Sequence, residues 1–178
     1  MQSEPFTWNW SDSEASGRPL DESRAPELQR LLERCSDFMQ LVNGVPVQAN
    51  GALELLRGTP PGVQANDHLV LGVYSPGDEL MGVLTALRGY PSPDVWWIGE
   101  LLFVPERRGG GLGRSVYRRF EAWALHRRAG SIRLVVQKQN PRALRFWRQL
   151  GFVELGSAQQ HLPNRVNEVL VMERKLVP

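Results

Sequence analysis

The segment Pro105–Ser115, PERRGGGLGRS, constrains the fold most, because it places three consecutive glycines between arginines. Because glycine has no Cβ, successive backbone N–H groups can approach a ligand closely. The positive end of a helix that follows directly also attracts an anion. Helical spacing predicts such a helix, with apolar side chains at Leu112, Val116, Phe120 and Trp123. The segment is therefore predicted to bind phosphate between a strand and a helix.

Apolar runs separated by turn signals predict a mixed, mostly antiparallel sheet around this loop. The predicted strands are residues 68–74, 79–87, 95–104, 132–137, 152–156 and 167–175. The first three are joined by short Gly- and Pro-rich turns, which indicates an antiparallel meander. Strand, helix and strand in the order around the loop imply a parallel crossover, so the predicted class is α/β.

Helices are expected before this sheet and between its last strands. Periodicity predicts a helix over about 26–42 and a short one over about 48–57, and NPRALRFWRQLGF predicts another. Residues 1–20 are expected to form a loosely ordered arm with one short strand near its middle, and residues 21–178 a single domain.

Two common phosphate-binding motifs do not match the glycine loop. A nucleotide-triphosphate P-loop requires lysine at Arg114 and glycine at Arg108. The dinucleotide motif G-x-G-x-x-G requires glycine at Arg114 or at Val116, depending on the glycine that begins it. The pattern that does fit is R-x-x-G-x-G, formed by Arg108, Gly111 and Gly113.

This loop resembles the acetyl-CoA loop of the GCN5-related N-acetyltransferase (GNAT) family. The downstream NPRALRFWRQLGF is similar to the second signature of that family, N-x-x-A-x-x-F-(aromatic)-x-x-x-G-F, and the correspondence extends over about residues 68–175. The resemblance implies a mixed sheet flanked by helices, with a β-α-β-α core around an acetyl-CoA site. Acetyl-CoA would be a co-substrate, and no metal is expected.

The resemblance also implies which residues contact acetyl-CoA. Its pantetheine arm would pair with the backbone near the end of the third strand, where an N–H would stabilise the thioester oxyanion. The expected cofactor-binding residues are Leu102, Phe103, Val104, Arg108, Gly109, Gly110, Gly111, Leu112, Gly113, Arg114, Asn140, Ala143, Phe146 and Trp147. Arg108 and Arg114 are expected to pair directly with phosphate, and Asn140 serves equally well as a helix cap.

Glu100 is the expected general base, because it interrupts an apolar strand just before the oxyanion segment. A strand-end glutamate paired with arginine is the alternative. Trp147 stands where many relatives have a tyrosine that protonates the departing thiolate, and an indole N–H does not supply that proton. The source of this proton remains open: it could be Tyr117, Tyr90 or water, or the reaction could need no acid.

Composition excludes several other classes of protein. The net charge is only +2 with scattered arginines, which does not indicate nucleic-acid binding, and no apolar run approaches a membrane span. The single cysteine, Cys35, lies on an apolar helical stripe and is expected in the core. The N-terminus lacks the pattern of a signal peptide, so a cytoplasmic protein is expected.

The expected function is N-acetyl transfer from acetyl-CoA to a primary amine by direct attack in a ternary complex. The alternative is a module that binds acyl-CoA without turning it over, as a sensor or partner domain. The acceptor, a small molecule or a peptide, stays open, and the family allows a homodimer. The N-terminal helices, the 88–95 turn and the 157–167 connection are expected to shape the acceptor site.

Overall fold

Eight strands form one mixed sheet in the computed structural model, which describes residues 6–176. The strands are β1 Trp10–Ser11, β2 Ser16–Pro19, β3 His68–Tyr74, β4 Leu80–Arg88, β5 Val95–Phe103, β6 Ser131–Gln137, β7 Val153–Leu162 and β8 Arg165–Lys175. Their order is β1-β2-β3-β4-β5-β6-β8-β7, and the β5–β6 pair is parallel while the other pairs are antiparallel. The predicted mixed, mostly antiparallel sheet is confirmed.

Helices cover both faces of this sheet. They are α1 Ala25–Arg34, α2 Ser36–Asn43, α3 Gly51–Arg57, α4 Leu112–His126 and α5 Pro141–Gln149. Buried side chains of α1 and α3 pack with Val70 and Val83 on one face, whereas α4 and α5 pack with Leu71 and Leu84 on the other. Alternate residues of β3 and β4 thus serve opposite cores, as the two-residue period of a strand requires. No helix within residues 6–176 combines the length and apolarity that crossing a membrane requires.

The helix predicted over 26–42 is two helices, because the chain turns at Cys35. Its backbone angles (φ −95°, ψ 29°) depart from α geometry, and its N–H is shared between the carbonyls of Leu31 and Leu32. After this turn α2 contacts β8. Cys35 itself is fully buried, as predicted, and its Sγ lies 3.5 Å from the Phe103 carbonyl oxygen.

The N-terminal segment packs against the sheet and α4 over its described part, and the loose arm expected for residues 1–20 stays a prediction. β2 pairs with β3, and the Phe6 ring lies 4.7 Å from Trp96 and 5.0 Å from Trp123. Trp8 also stacks on Trp123, at 5.3 Å. Burial of these rings offsets the conformational entropy that the segment loses on folding. The apolar residues of the segment are too few to form a periodic pattern, so the sequence does not predict this packing. Residues 1–5 of the expected arm lie outside the described residues.

The C-terminal hairpin is longer than predicted. The strand expected over 152–156 runs from Val153 to Leu162, and most of the 157–167 connection is strand joined by a short turn. β7 lies at the edge of the sheet, and almost all its side chains are exposed. Without a buried face the strand has no apolar alternation, so periodicity does not reveal it.

β5 and β6 separate after a short parallel contact. They pair only from Val95–Trp97 opposite Ser131–Arg133, beyond which β6 continues alongside β8. A bulge in β5 at Gly99 accompanies the separation, and the Thr85 Oγ1 lies only 2.6 Å from where a Cβ on Gly99 would be. A side chain at Gly99 would therefore displace the Thr85 side chain. The rest of β5 has no partner strand on the β6 side and borders an opening in the sheet.

Candidate active site

The opening beside β5 leads into a cavity of about 610 Å³, here named the loop cavity. It is bordered by β5, the glycine loop, α5 and one face of α2. Most of the predicted cofactor-binding residues line it: Leu102, Phe103, Arg108, Gly109, Gly111, Gly113, Arg114, Asn140, Ala143, Phe146 and Trp147. The two sequence motifs therefore meet at one site, although 25 residues or more separate them in the chain.

The glycine loop has a conformation that glycine alone adopts readily. Gly109 and Gly111 have φ of +88° and +91°, in the left-handed region, and α4 begins directly after Gly111. A Cβ at Gly113, in the first turn of α4, would lie 3.5 Å from the Phe103 ring, which is ordinary van der Waals contact. The backbone conformation thus favours glycine at Gly109 and Gly111, whereas the space around Gly113 would also admit a side-chain methyl.

Three predicted cofactor-binding residues, Val104, Gly110 and Leu112, are not among the described residues that line the loop cavity. Val104 is 1% exposed, packs with α1 and α3, and donates its N–H to the Met81 carbonyl at 3.0 Å. That N–H is therefore bonded to β4, and the expected contact of Val104 with acetyl-CoA stays a prediction.

The direction of the Val104 N–H identifies the backbone groups that face the opening. Because successive residues of a strand direct their N–H groups to opposite sides, those of Leu101 and Phe103 point away from β4. The Phe103 carbonyl follows this direction and accepts from Arg108 Nε at 2.6 Å. Leu101, which also lines the loop cavity, presents its N–H to the opening.

Arg108 is bound by other residues of the protein, and its expected direct pairing with phosphate stays a prediction. Besides its bond to Phe103, its guanidinium forms an ion pair with Asp37 of α2, and the pairing lowers the pKa of that carboxyl. Its side chain is 19% exposed. Arg108 therefore fastens α2 to the end of β5 and gives the loop cavity one wall.

Arginines other than Arg108 also line the loop cavity. Arg107 and Arg142 line the loop cavity together with the predicted Arg114, and Arg142 Nη2 lies 3.8 Å from where a Cβ of Gly109 would be. Sequence reasoning missed Arg107 and Arg142, although the first lies in the glycine loop and the second follows Asn140 by two residues. The α2 wall was missed because no local pattern predicts which helix covers an opening.

Asn140 has the capping role that the sequence allows. Its Oδ1 accepts the N–H of Ala143 at 3.1 Å, and Pro141 begins α5. The side-chain oxygen is thereby engaged with α5, while the residue still borders the loop cavity. Ala143 and Phe146 lie on the cavity side of the same helix.

A second cavity, of about 520 Å³, lies on the α1–α3 side of the sheet and is named the Glu100 cavity. Its walls come from α1, α2, α3, β3, β4, β5 and the β7–β8 turn; Leu32, Met39, Leu55, His68, Leu87, Trp97 and Asn164 are among its lining residues. The N-terminal helices and part of the 157–167 connection thus border it. The 88–95 turn approaches it through Tyr90, whose ring lies 5.7 Å from Trp97.

Glu100 lies where the two cavities adjoin, because it lines one and the next residue, Leu101, lines the other. Its Oε2 is sealed from solvent and has no hydrogen-bond partner within the described residues. Burial raises the pKa of this carboxyl from 4.5 to about 7. The group is therefore not the arginine-paired strand-end glutamate that was the alternative, and it titrates in a range useful for proton transfer.

Tyr117, one of the two tyrosines considered as acids, lies beside Trp147. Tyr117 is fully buried and donates its hydroxyl to Glu121 at 3.0 Å, and its pKa is raised by burial. It contacts Trp147 edge-on at 5.5 Å and does not line either cavity. Trp147 lines the loop cavity, whereas the hydroxyl of Tyr117 is bonded to Glu121, a position that does not favour Tyr117 as the acid.

Comparison with known proteins decides the family. The model of the acetyltransferase (GNAT) family matches residues 29–152, which is more than half of the chain and includes both motifs. This chain belongs to the GNAT family of acetyltransferases. No curated protein matches the sequence.

Solved structures with the same fold cover nearly the whole chain. Spermidine N-acetyltransferase from Vibrio cholerae, in complex with CoA and spermine, has a TM-score of 0.72 at 20% identity, covering 92% of this chain and 96% of that one. An acetyltransferase from Thermus thermophilus has 0.71 at 23%, covering 92% and 97%. The ribosomal-protein-S18-alanine N-acetyltransferase from Escherichia coli has 0.68 at 14%, covering 90% and 93%. At these identities the likeness shows the GNAT fold.

Proposed function

We propose that this GNAT protein is an acetyl-CoA-dependent N-acyltransferase that transfers an acetyl group directly to a primary amine. The observation that carries the proposal is the position of Glu100, an unpartnered buried carboxyl at the junction of two cavities. A site that only holds an acyl-CoA needs no second cavity and no buried proton acceptor.

The residues of the loop cavity fit coenzyme A. Backbone N–H groups of the glycine loop and the start of α4 suit the diphosphate, and Arg107, Arg114 and Arg142 add positive charge. The opening along β5 suits the extended pantetheine arm, which would pair with backbone groups that β6 does not use. The Leu101 N–H then faces the thioester oxygen and stabilises the negative charge that develops there.

Glu100 prepares the acceptor in the adjoining cavity. With a pKa of about 7 its carboxylate takes a proton from the ammonium form of the acceptor, directly or through water. The freed amine nitrogen attacks the thioester carbon, the C–N bond forms and the C–S bond breaks. The nitrogen loses a second proton, which reaches the departing thiolate through water, so coenzyme A leaves as a thiol. A thiol pKa near about 8.5 makes its anion a fair leaving group, so water suffices where Trp147 replaces tyrosine.

The test is release of free thiol from acetyl-CoA across a panel of small amines and peptides. We expect amine-dependent release with intersecting initial-rate patterns, because both substrates must be bound before transfer. Tight binding of acetyl-CoA without release for any amine would contradict the proposal and favour the sensor. Parallel, ping-pong patterns would contradict direct attack.

A further inference from the structure

The lining of the Glu100 cavity carries information on the acceptor, given the proposed function on which this inference rests. Apolar side chains form most of the wall, including Leu32, Met39, Leu55 and Leu87, and Trp97 adds a half-buried indole. A cavity of about 520 Å³ is within the range that takes a small organic ligand. The walls therefore suit an acceptor with a sizeable apolar body.

Charge in this cavity has one sign. Among the described residues that line it there is no Lys or Arg, whereas Glu54 and Glu100 both contribute. Glu54 is exposed and accepts from Asn50 at 2.7 Å, so it belongs to the solvent-facing rim. Burial lowers the pKa of His68, which keeps the imidazole neutral near pH 7. The interior thus contains one ionisable carboxyl and no cation.

This arrangement discriminates among amines by their other charged groups. A carboxylate or phosphate on the acceptor would be buried without a positive partner, which is strongly unfavourable. A polyamine would bring further ammonium groups against apolar walls, with only the rim Glu54 to pair them. Glu100 as a residue is half-buried and lines the cavity, so a single ammonium placed against its accessible part pairs with the carboxylate.

We propose that the acceptor is a primary monoamine with an apolar, preferably aromatic body and no anionic group. Its nitrogen lies at Glu100, beside the loop cavity, and its body lies between Trp97 and the apolar side chains of α1 and α3. The bulge at Gly99 places Trp97 and Glu100 on the lining of the same cavity.

The experiment compares three amines at saturating acetyl-CoA: 2-phenylethylamine, phenylalanine and spermidine. Phenylalanine adds only a carboxylate to the first, and spermidine replaces the ring by further amines. We expect kcat/KM for 2-phenylethylamine to exceed that for either of the others by at least about 100-fold. A higher value for phenylalanine or spermidine overturns the inference while leaving the proposed function standing.

Leu55→Arg tests the charge argument within the protein. A cation on the cavity side of α3 should narrow the preference for 2-phenylethylamine over phenylalanine by about tenfold. Leu53→Arg is the matched control, because Leu53 lies on α3 but does not line the cavity. An unchanged preference in Leu55→Arg, with acetyl-CoA affinity retained, overturns the inference.

The outcomes for the inference and for the proposed function are separable. If acetyl-CoA binds and none of the three amines releases thiol, the inference is overturned. If a wider panel that includes peptide amines also releases none, the proposed function falls with it.

Discussion

The loop cavity and the Glu100 cavity adjoin along β5 but are built in opposite ways. The loop cavity presents backbone groups and four arginines, drawn mainly from the two contiguous motifs. The Glu100 cavity presents apolar side chains and one buried carboxyl, drawn from segments scattered between α1 and the β7–β8 turn. The comparison teaches that the loop cavity is encoded mainly by local sequence, whereas the Glu100 cavity depends on tertiary packing.

The two halves should therefore respond differently to substitution. Changes at the loop cavity should alter the affinity for coenzyme A and leave the choice of amine unchanged. Changes at the Glu100 cavity should alter turnover and the choice of amine while coenzyme A still binds. Each of the following experiments can separate the halves or show that they act as one.

The largest effect is expected from Glu100→Gln. Loss of the proton acceptor should lower kcat/KM for the amine by about 10²–10⁴, without weakening acetyl-CoA binding. In the wild type kcat/KM should rise with pH through about 7 and then level off, and in the variant this rise should be absent. Glu168→Gln, an exposed carboxyl on β8, is the control. A loss below about tenfold would remove Glu100 from the mechanism.

Stability against pH should show the burial of the same carboxyl. The pKa of Glu100 in the folded protein, about 7, exceeds the ordinary 4.5. The contribution of the protonated carboxyl to the free energy of unfolding is therefore fully present below pH 4.5 and is lost as pH rises through 7. Glu100→Gln should thus gain up to about 3 kcal/mol over the wild type between pH 4.5 and pH 8. Urea unfolding of both proteins at the two pH values measures the difference. If the free energies of unfolding of the two proteins differ by the same amount at both pH values, the carboxyl is not buried.

Gly113→Ala should affect the loop cavity alone. The added methyl meets only ordinary contacts within the protein, and alanine in the first turn of α4 stabilises the helix by up to about 1 kcal/mol. Coenzyme A affinity should nevertheless fall by about tenfold, because the diphosphate approaches this backbone closely. Titration calorimetry checks it, with Gly156→Ala on β7 as the control. Unchanged affinity would show that the phosphates lie elsewhere.

The smallest effect is expected from Arg142→Gln. The side chain is exposed, so removing its charge should weaken coenzyme A binding by only about fivefold, and less at high salt. Arg145→Gln is a matched control, since Arg145 is on the same helix but does not line the loop cavity. Equal effects of the two variants would indicate long-range charge rather than contact.

The sequence predicts the central β3–β6 region well because its signals are local. Strand runs around Gly-Pro turns and the Asn140-Pro141 helix start each lie within a few residues of what they determine. The ion pair of Arg108 could not be predicted from the sequence, because its partner, Asp37, lies on a helix far away in the chain.

The acceptor half could not be read in the same way. Glu100 stands out because it interrupts an apolar strand, but its lack of a partner depends on what β4 and the helices place around it. The order of the N-terminal segment depends similarly on rings from β5 and α4. Such contacts join residues far apart in the chain, and no spacing rule encodes them.

The most direct test of the central claim is a crystal structure of the protein soaked with coenzyme A. We predict that the diphosphate lies against the amides of residues 109–114 and that the pantetheine arm follows β5 towards Glu100. Coenzyme A bound away from the loop cavity, or a loop cavity left empty at saturating ligand, would contradict the account.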